Sequence, residues 1–168
     1  YGHHPTEIKA TIETAKQLNP ERLVCVFQPH RYTRTKLMLD KFSGAFSGVD
    51  KLFITEVYAA GEAPIIGADS NAIVESIRKS TDTEVELIQC FESAHHVIGA
   101  YIKPGDQVLI LGAGNVHEIG SLLARDLEVI DKLRRELDDP MTECRLFEPM
   151  RRHTTCLLYT SPSPRDNR

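Results

Sequence analysis

The fold of this 168-residue chain follows from one stretch, Arg22-Leu23-Val24-Cys25-Val26-Phe27-Gln28-Pro29-His30-Arg31-Tyr32-Thr33-Arg34. A β-branched and aromatic run of this length, closed by a proline, predicts a buried strand that leads into a loop. In open α/β sheets, ligands collect outside the carboxyl ends of the strands. The loop therefore places His30, Arg31 and Arg34 where a ligand is expected.

The same three side chains suit an anion. Arg31 and Arg34 are three positions apart, so a helix that starts at Tyr32 or Thr33 presents both near its first turn. Guanidinium groups offer a planar fork of donors to a carboxylate or phosphate, and the free N–H groups of a helix N-terminus attract the same ligands. Because two cations at this end of a helix are unfavourable without an anion, the pattern favours a binding site over a solvated surface.

Strands and helices alternate along the rest of the chain, which predicts βαβ units, an α/β fold and a mainly parallel sheet. Apolar runs predict the strands, and helical spacing of apolar residues, with caps and turns, predicts the helices. The predicted strands are 22–28, 51–57, 84–88 and 107–111, and the predicted helices are 5–18, 33–46, 69–79, 93–101 and a last one, after a glycine-rich turn, that ends near 127.

Composition excludes several classes of function. A net charge of −4 argues against a nucleic-acid partner, and without an apolar run of about 18 residues or a secretory signal we expect no membrane partner and a cytoplasmic location. The four cysteines are scattered, so they indicate neither a metal site nor a disulfide framework. His95, His96 and His117 lack partner ligands at metal spacing, so the sequence predicts no metal site.

Three segments are predicted. Residues 1–127 form the α/β domain, and 128–155, rich in charge, form a surface helix to about Leu137 and a linker. The segment from Cys156 to Asp166 resembles the conceptual translation of a transposase-adapter sequence used in sequencing libraries. Residues 156–168 are therefore expected to be a non-native, disordered tail; the alternative is a genuine Ser/Pro-rich tail.

Four motifs occur over residues 1–127 in a characteristic order and spacing. They are Tyr1-Gly2-His3-His4-Pro5-Thr6-Glu7-Ile8, Phe27-Gln28-Pro29-His30-Arg31-Tyr32-Thr33-Arg34-Thr35, Glu56-Val57-Tyr58-Ala59-Ala60-Gly61-Glu62-Ala63-Pro64-Ile65 and Gly67-Ala68-Asp69-Ser70. Together they resemble one family, the C-terminal domain of the UDP-N-acetylmuramate–L-alanine ligases, which are Mur ligases. A fifth motif, Gly112-Ala113-Gly114-Asn115, sits where that family carries a similar turn. The resemblance implies a Rossmann-like, three-layer domain that closes over the active site.

The resemblance also implies an activity. These ligases phosphorylate the muramyl carboxylate with ATP and Mg²⁺, and the amine of L-alanine then attacks the acyl phosphate, a step of peptidoglycan synthesis. No G-x-x-x-x-G-K-[ST] phosphate loop occurs in this chain. We therefore expect a fragment of a longer enzyme, inactive alone, whose N-terminal and central domains bind UDP-N-acetylmuramate, ATP and the metal.

Roles for individual residues come from the same resemblance. Tyr1 and His3 match the motif that contacts adenine, although for His3 a hydrogen bond that stabilises the turn is an equal alternative. His30, Arg31 and Arg34 match the substrate clamp, which holds the carboxylate of the amino acid. No residue is assigned to proton chemistry. His4 is expected to support the helix start, and the side chains expected to shape the next loop or pair with the arginines are Glu56, Tyr58 and Glu62.

The alternatives belong to other classes of function. A stand-alone nucleotide- or anion-binding Rossmann module is the main one, and a dinucleotide oxidoreductase domain is the second. The turn Gly112-Ala113-Gly114 lacks the third glycine at dinucleotide spacing, which weakens the second. Separately, Arg151-Arg152-His153-Thr154-Thr155 is similar to the opening of the flavin-dependent UDP-N-acetylenolpyruvoylglucosamine reductases; a fusion to such an enzyme would bring FAD, and an ordinary extension is the alternative.

Overall fold

A computed structural model of the protein describes residues 2–137 and 155–158. Strands and helices alternate throughout this part of the chain. The helices are α1 (Pro5–Lys16), α2 (Tyr32–Phe42), α3 (Ser70–Ser80), α4 (Ala94–Tyr101) and α5 (His117–Leu137), and the strands are β1 (Arg22–Gln28), β2 (Lys51–Ile54), β3 (Glu84–Leu87), β4 (Asp106–Gly112) and β5 (Thr155–Leu158).

The strands form one sheet in the order β3-β2-β1-β4-β5, with every neighbouring pair parallel. β1 lies at its centre, with Phe27 beside Ile54 of β2 and Leu111 of β4. The chain steps outward from β1 through β2 to β3 and then returns to the other side of β1 as β4. The carboxyl ends of β1 and β4 therefore flank the point where the strand order reverses, which is where open α/β sheets bind ligands.

Two apolar clusters cover the two faces of the sheet, so the domain has three layers. On one face, α1, α2 and α3 pack over alternate residues of β1, including Cys25 and Phe27. On the other face, α4 and α5 pack over Val24 and Val26. Because both faces are buried, the central strands are apolar at almost every position. This arrangement confirms the predicted α/β class and parallel sheet.

Three helices differ from their predictions by two or more residues. α1 ends at Lys16 rather than residue 18, where the N–H of Gln17 donates to the Thr14 carbonyl (3.2 Å) in a tighter turn. The helix predicted to reach residue 46 ends at Phe42, because the hydroxyl of Ser43 donates to the carbonyl of Asp40 (2.7 Å) and glycine follows. Turns then carry Phe46 into the same core. At the other end, α5 continues without a break to Leu137, so the predicted domain boundary at residues 127/128 lies inside a helix.

Two strands are shorter than predicted. β2 ends at Ile54 rather than residue 57, and the chain rejoins the sheet through a single bridge between His30 and Tyr58. Two residues on the β1 side (28–29) and three on the β2 side (55–57) separate this bridge from the last ladder pair, Phe27 and Ile54. The extra residue breaks the ladder. β3 ends one residue early, although the N–H of Ile88 still donates to the Ile54 carbonyl (2.8 Å).

The first three residues of the tail predicted to be disordered, 156–158, belong to a strand of the sheet. Thr155–Leu158 pair with β4 as β5, with Cys156 beside Val108. The sequence origin proposed for this tail stays a prediction. Residues 138–154, with most of the reductase-like motif, and residues 159–168 lie outside the described part. Among the described helices, none is both long and apolar enough to cross a membrane.

Candidate functional site

The candidate site is built where β1 ends. Pro29 and His30 are buried directly after the strand, and the loop that follows β2 is tied to them by backbone hydrogen bonds. The N–H of Tyr58 donates to the Pro29 carbonyl (2.8 Å), and the N–H of Arg31 donates to the Tyr58 carbonyl (2.9 Å). The two loops at this edge therefore form one unit, although 28 positions of sequence separate His30 from Tyr58.

Arg31 makes the transition from β1 to α2. It is the N-cap residue of the helix, with φ 68° and ψ 136°, a backbone conformation that side chains with a β-carbon rarely adopt. Its carbonyl accepts from the N–H (3.1 Å) and the hydroxyl (3.0 Å) of Thr35. The guanidinium is about half exposed. The backbone thus turns sharply at the residue whose side chain is predicted to bind an anion.

His30 and Arg34 meet one helical turn apart. Nη1 of Arg34 lies 3.1 Å from Nδ1 of His30, and the His30 ring stacks on Tyr58 with centroids 5.6 Å apart and planes tilted by 10°. Burial and the charge of Arg31 lower the pKa of Arg34. The structure therefore brings His30, Arg31 and Arg34 together, and the two guanidiniums repel each other at the start of α2.

An acidic side chain already occupies the start of α2. Glu62 accepts hydrogen bonds from the N–H (3.0 Å) and the hydroxyl (2.7 Å) of Thr33, and its Oε1 lies 3.8 Å from Nη1 of Arg31. These hydrogen bonds lower the pKa of Glu62, with a smaller effect from Arg31. Pairing with an arginine, one of the roles left open from the sequence, is thus observed. The contact also shows that a carboxylate fits between this N-terminus and Arg31.

His3 borders the same cluster. Its ring centroid lies 5.8 Å from that of His30. Burial, followed by the charge of Arg34, lowers the pKa of His3 from 6.5 to about 4. His4 has the predicted helix-start role, because its Nδ1 accepts from the N–H of Thr6 (3.3 Å) while its own N–H donates to Glu7 (3.2 Å). Tyr1, the other predicted adenine contact, lies outside the described residues.

The glycine-rich turn after β4 is closed by side chains of the protein itself. Gln28 donates from Nε2 to Asn115 (3.0 Å) and accepts from the N–H of Val116 (3.1 Å) at the start of α5. A β-carbon at Gly114 would lie 2.5 Å from the Tyr58 ring. The space that a dinucleotide pyrophosphate needs next to the turn is filled. This geometry disfavours the oxidoreductase alternative.

The fold and the motifs agree with one family. A family model described as "Mur ligase, glutamate ligase domain" matches residues 1–114. The chain belongs to the Mur ligase family. Two of the similar curated proteins are UDP-N-acetylmuramate–L-alanine ligases: that of Syntrophus aciditrophicus is 46% identical over 132 residues and that of Bartonella quintana 40% over 131. Each alignment covers 78% of this chain and 28% of the relative, so the chain spans little more than a quarter of their length.

A solved structure supports the fold of this Mur ligase domain. A murein peptide ligase from Psychrobacter arcticus superposes with a TM-score of 0.60 at 18% identity, covering 76% of this chain and 26% of that one. At this identity the likeness concerns the fold alone. It agrees with a Rossmann-like, three-layer domain, as the resemblance implies.

Sequence reasoning missed two contributors to the site of this Mur ligase domain. The sequence pattern places Gln28 only at the end of a strand, although a buried amide at that position signals a polar contact, here with Asn115. Thr33, which binds Glu62, carried no signal beyond its place at a helix start. The partner of Gln28 lies 87 positions away in the sequence, and the partner of Thr33 lies 29 positions away.

Proposed function

We propose that this chain is the C-terminal domain of an ATP-dependent ligase that joins L-alanine to UDP-N-acetylmuramate through an acyl phosphate, in peptidoglycan synthesis. Family membership supports the ligase class, and the curated relatives share the substrate pair in their names. The observation that carries the proposal is the convergence of His30, Arg31 and Arg34 on the N-terminus of α2. A carboxylate, that of Glu62, is already accommodated there.

The clamp acts by placement rather than by proton transfer. The two guanidiniums hold the carboxylate of alanine by charge-assisted hydrogen bonds, which leaves the amine free to approach the acyl phosphate. His30, held by its contact with Arg34 and its stack on Tyr58, orients Arg34. Positive charge beside the reacting carbonyl also stabilises the negative charge that develops on the phosphate and the tetrahedral oxygen.

The remaining components come from the rest of the parent enzyme. In this proposal, Tyr1 and His3 contact the adenine of ATP, while the N-terminal and central domains bind UDP-N-acetylmuramate, the ATP phosphates and Mg²⁺. His3 suits contact with adenine, which is uncharged, because the lowered pKa of His3 keeps its imidazole ring neutral near pH 7. The enzyme works in the cytoplasm, and FAD enters only if the parent is fused to a reductase. The chain alone has no ligase activity.

A domain exchange tests the proposal. The 132-residue segment of this chain that aligns with the Syntrophus aciditrophicus ligase replaces its counterpart in that enzyme, and phosphate release from ATP is measured with UDP-N-acetylmuramate, with and without L-alanine. We expect the hybrid to release phosphate only when alanine is present, and the isolated chain to release none. A hybrid that folds and binds both nucleotides but shows no dependence on alanine would contradict the proposal.

Single substitutions in the hybrid test the clamp. Arg31→Ala and Arg34→Ala each remove a charge-assisted hydrogen bond worth roughly 1.5–3 kcal/mol, so each is expected to lower kcat/KM for alanine about tenfold to a hundredfold. Arg31→Lys restores only part of the loss, since an ammonium lacks the planar fork. Lys36→Ala, at an exposed cation farther along α2, is the matched control and leaves kcat/KM unchanged.

The main alternative predicts a different pattern. For a stand-alone anion-binding module, the isolated chain binds inorganic phosphate at the clamp, while the hybrid stays inactive. If both alanine variants keep normal kinetics but unfold more readily, Arg31 and Arg34 are structural ion-pair residues and the clamp is refuted.

A further inference from the structure

A second cluster of chemically reactive side chains lies on the helix pair α4–α5. His95 and His96 belong to the first turn of α4, and Asp126 lies midway along α5. Nε2 of His95 is 3.7 Å from Oδ2 of Asp126, and the two imidazole centroids are 3.9 Å apart. One ligand atom from each of the three residues lies within 4.8 Å of the others. We propose that His95, His96 and Asp126 bind a divalent transition-metal ion of the zinc type, which joins α4 to α5.

The core of the domain holds the three positions together. Ala94 and Ile98 of α4 are fully buried in the same apolar cluster as Ile119 and Leu123 of α5. The ligands therefore rest on two packed helices rather than on loops, and only side-chain rotation is needed to close the site. Two ligands on one tetrahedral zinc ion, at about 2.0–2.2 Å from it, lie roughly 3.3–3.6 Å apart. The His95–Asp126 distance of 3.7 Å is already close to that value.

Among the described residues, no side-chain hydrogen bond accounts for the burial of His95. Its side chain is only 10% exposed, and its Nδ1 is buried without a hydrogen-bond partner in the described part of the chain. The distance of 3.7 Å to Asp126 is too long for a hydrogen bond. A metal ion on Nε2 bridges the 3.7 Å gap to Asp126 and links that nitrogen to the carboxylate, while the neutral ring keeps its proton on Nδ1.

Asp126 remains available to a metal. Its other oxygen, Oδ1, lies 3.9 Å from Nε of Arg125, whose side chain is two-thirds exposed. An exposed ion pair at this distance contributes little, and it leaves Oδ2 facing His95. Metal binding therefore competes with a weak contact only.

The ligand set selects the class of ion. Two imidazoles and one carboxylate suit zinc, copper(II) or nickel, whereas Mg²⁺ and Ca²⁺ prefer oxygen ligands alone. Three protein ligands leave a fourth position to water. The site therefore selects a different ion from the Mg²⁺ that the ligase reaction uses. The zinc proposal does not depend on the proposed function.

Titration of the untagged chain with Zn²⁺ tests the proposal, with binding heat and thermal unfolding as readouts. We expect one Zn²⁺ per chain and a higher Tm at saturation, since an ion that binds only the folded state stabilises it. His96→Ala changes an exposed residue and Asp126→Asn keeps the shape of the side chain, so both are expected to fold. Each should weaken Zn²⁺ binding at least about 100-fold.

A matched control and a second ion sharpen the result. His117→Ala removes an exposed histidine at the start of α5, outside the cluster, and should leave Zn²⁺ binding unchanged. Mg²⁺ at the same concentrations should give no binding heat. Absence of Zn²⁺ binding to the wild-type chain would overturn the proposal, and so would Zn²⁺ binding that survives both His96→Ala and Asp126→Asn.

Discussion

The backbone of Arg31 offers a test of whether the candidate site carries strain. The residue has φ 68° and ψ 136°, a region that glycine occupies freely and other residues avoid. Hydrogen bonds hold it there on both sides, to Tyr58 before it and from Thr35 after it. A conformation of this kind costs about 1–3 kcal/mol and persists only where the surroundings impose it.

Arg31→Gly should therefore stabilise the protein while it removes a binding group. The substitution relieves the 1–3 kcal/mol of strain, and the added freedom of glycine in the unfolded chain offsets about 0.5–1 kcal/mol of that gain. The lost contact to Glu62 is a long, partly exposed ion pair and contributes little. We expect the free energy of unfolding to rise by about 1 kcal/mol, which corresponds to a Tm increase of roughly 3–5 °C in a domain of this size.

Urea unfolding of the isolated chain, followed by circular dichroism, measures the effect. Arg31→Ala is the matched control, because alanine also lacks the guanidinium but keeps the β-carbon that causes the strain. Its stability should be equal to that of the wild type or slightly lower. In the hybrid enzyme, both variants should lose alanine binding to a similar extent, since neither carries the charge.

Equal stability of the glycine and alanine variants would refute the reasoning, because the two differ only in the β-carbon at the strained position. A glycine variant that keeps normal kinetics for alanine would refute the functional half separately. The two readouts therefore separate the backbone conformation of Arg31 from the function of its side chain.

Three further predictions follow from other contacts. Gly114→Ala forces a β-carbon to within 2.5 Å of the Tyr58 ring, so the free energy of unfolding should fall by about 1–3 kcal/mol, as measured in urea; an unchanged midpoint would contradict the close packing. The His3 pKa of about 4, below the ordinary 6.5, means that the unfolded state takes up its proton first as the pH falls. Stability should therefore decrease between about pH 6.5 and pH 4, and His3→Gln should make the urea midpoint less dependent on pH in that window. Deletion of residues 156–168 should change the free energy of unfolding by less than about 1 kcal/mol, because β5 is a short edge strand; a larger loss would show that it belongs to the fold.

Local patterns in the sequence were sufficient for most of the fold. The apolar run that forms β1 was predicted at its exact bounds, because a strand buried on both faces is apolar at almost every position. The start of α3 followed from a capping residue at Asp69 or Ser70, and in the structure Asp69 is the N-cap, because its side chain accepts from the N–H of Ala72 (2.9 Å). The ends of α2 and β2 were wrong, since turn contacts and a break in the ladder decide them, and neither leaves a periodic signal.

The sequence by itself determined the fold class, the family and the placement of His30, Arg31 and Arg34 after the central strand. Each of these depends on residues that are neighbours in the chain. Only the tertiary structure decided three contacts. Glu62 accepts from Thr33 at the start of α2, Gln28 accepts from the N–H of Val116 before α5, and Asp126 lies beside the two histidines of α4. The physical reason is that these contacts join residues 29 to 88 positions apart, and strand register and helix packing, rather than local periodicity, bring such residues within bonding distance.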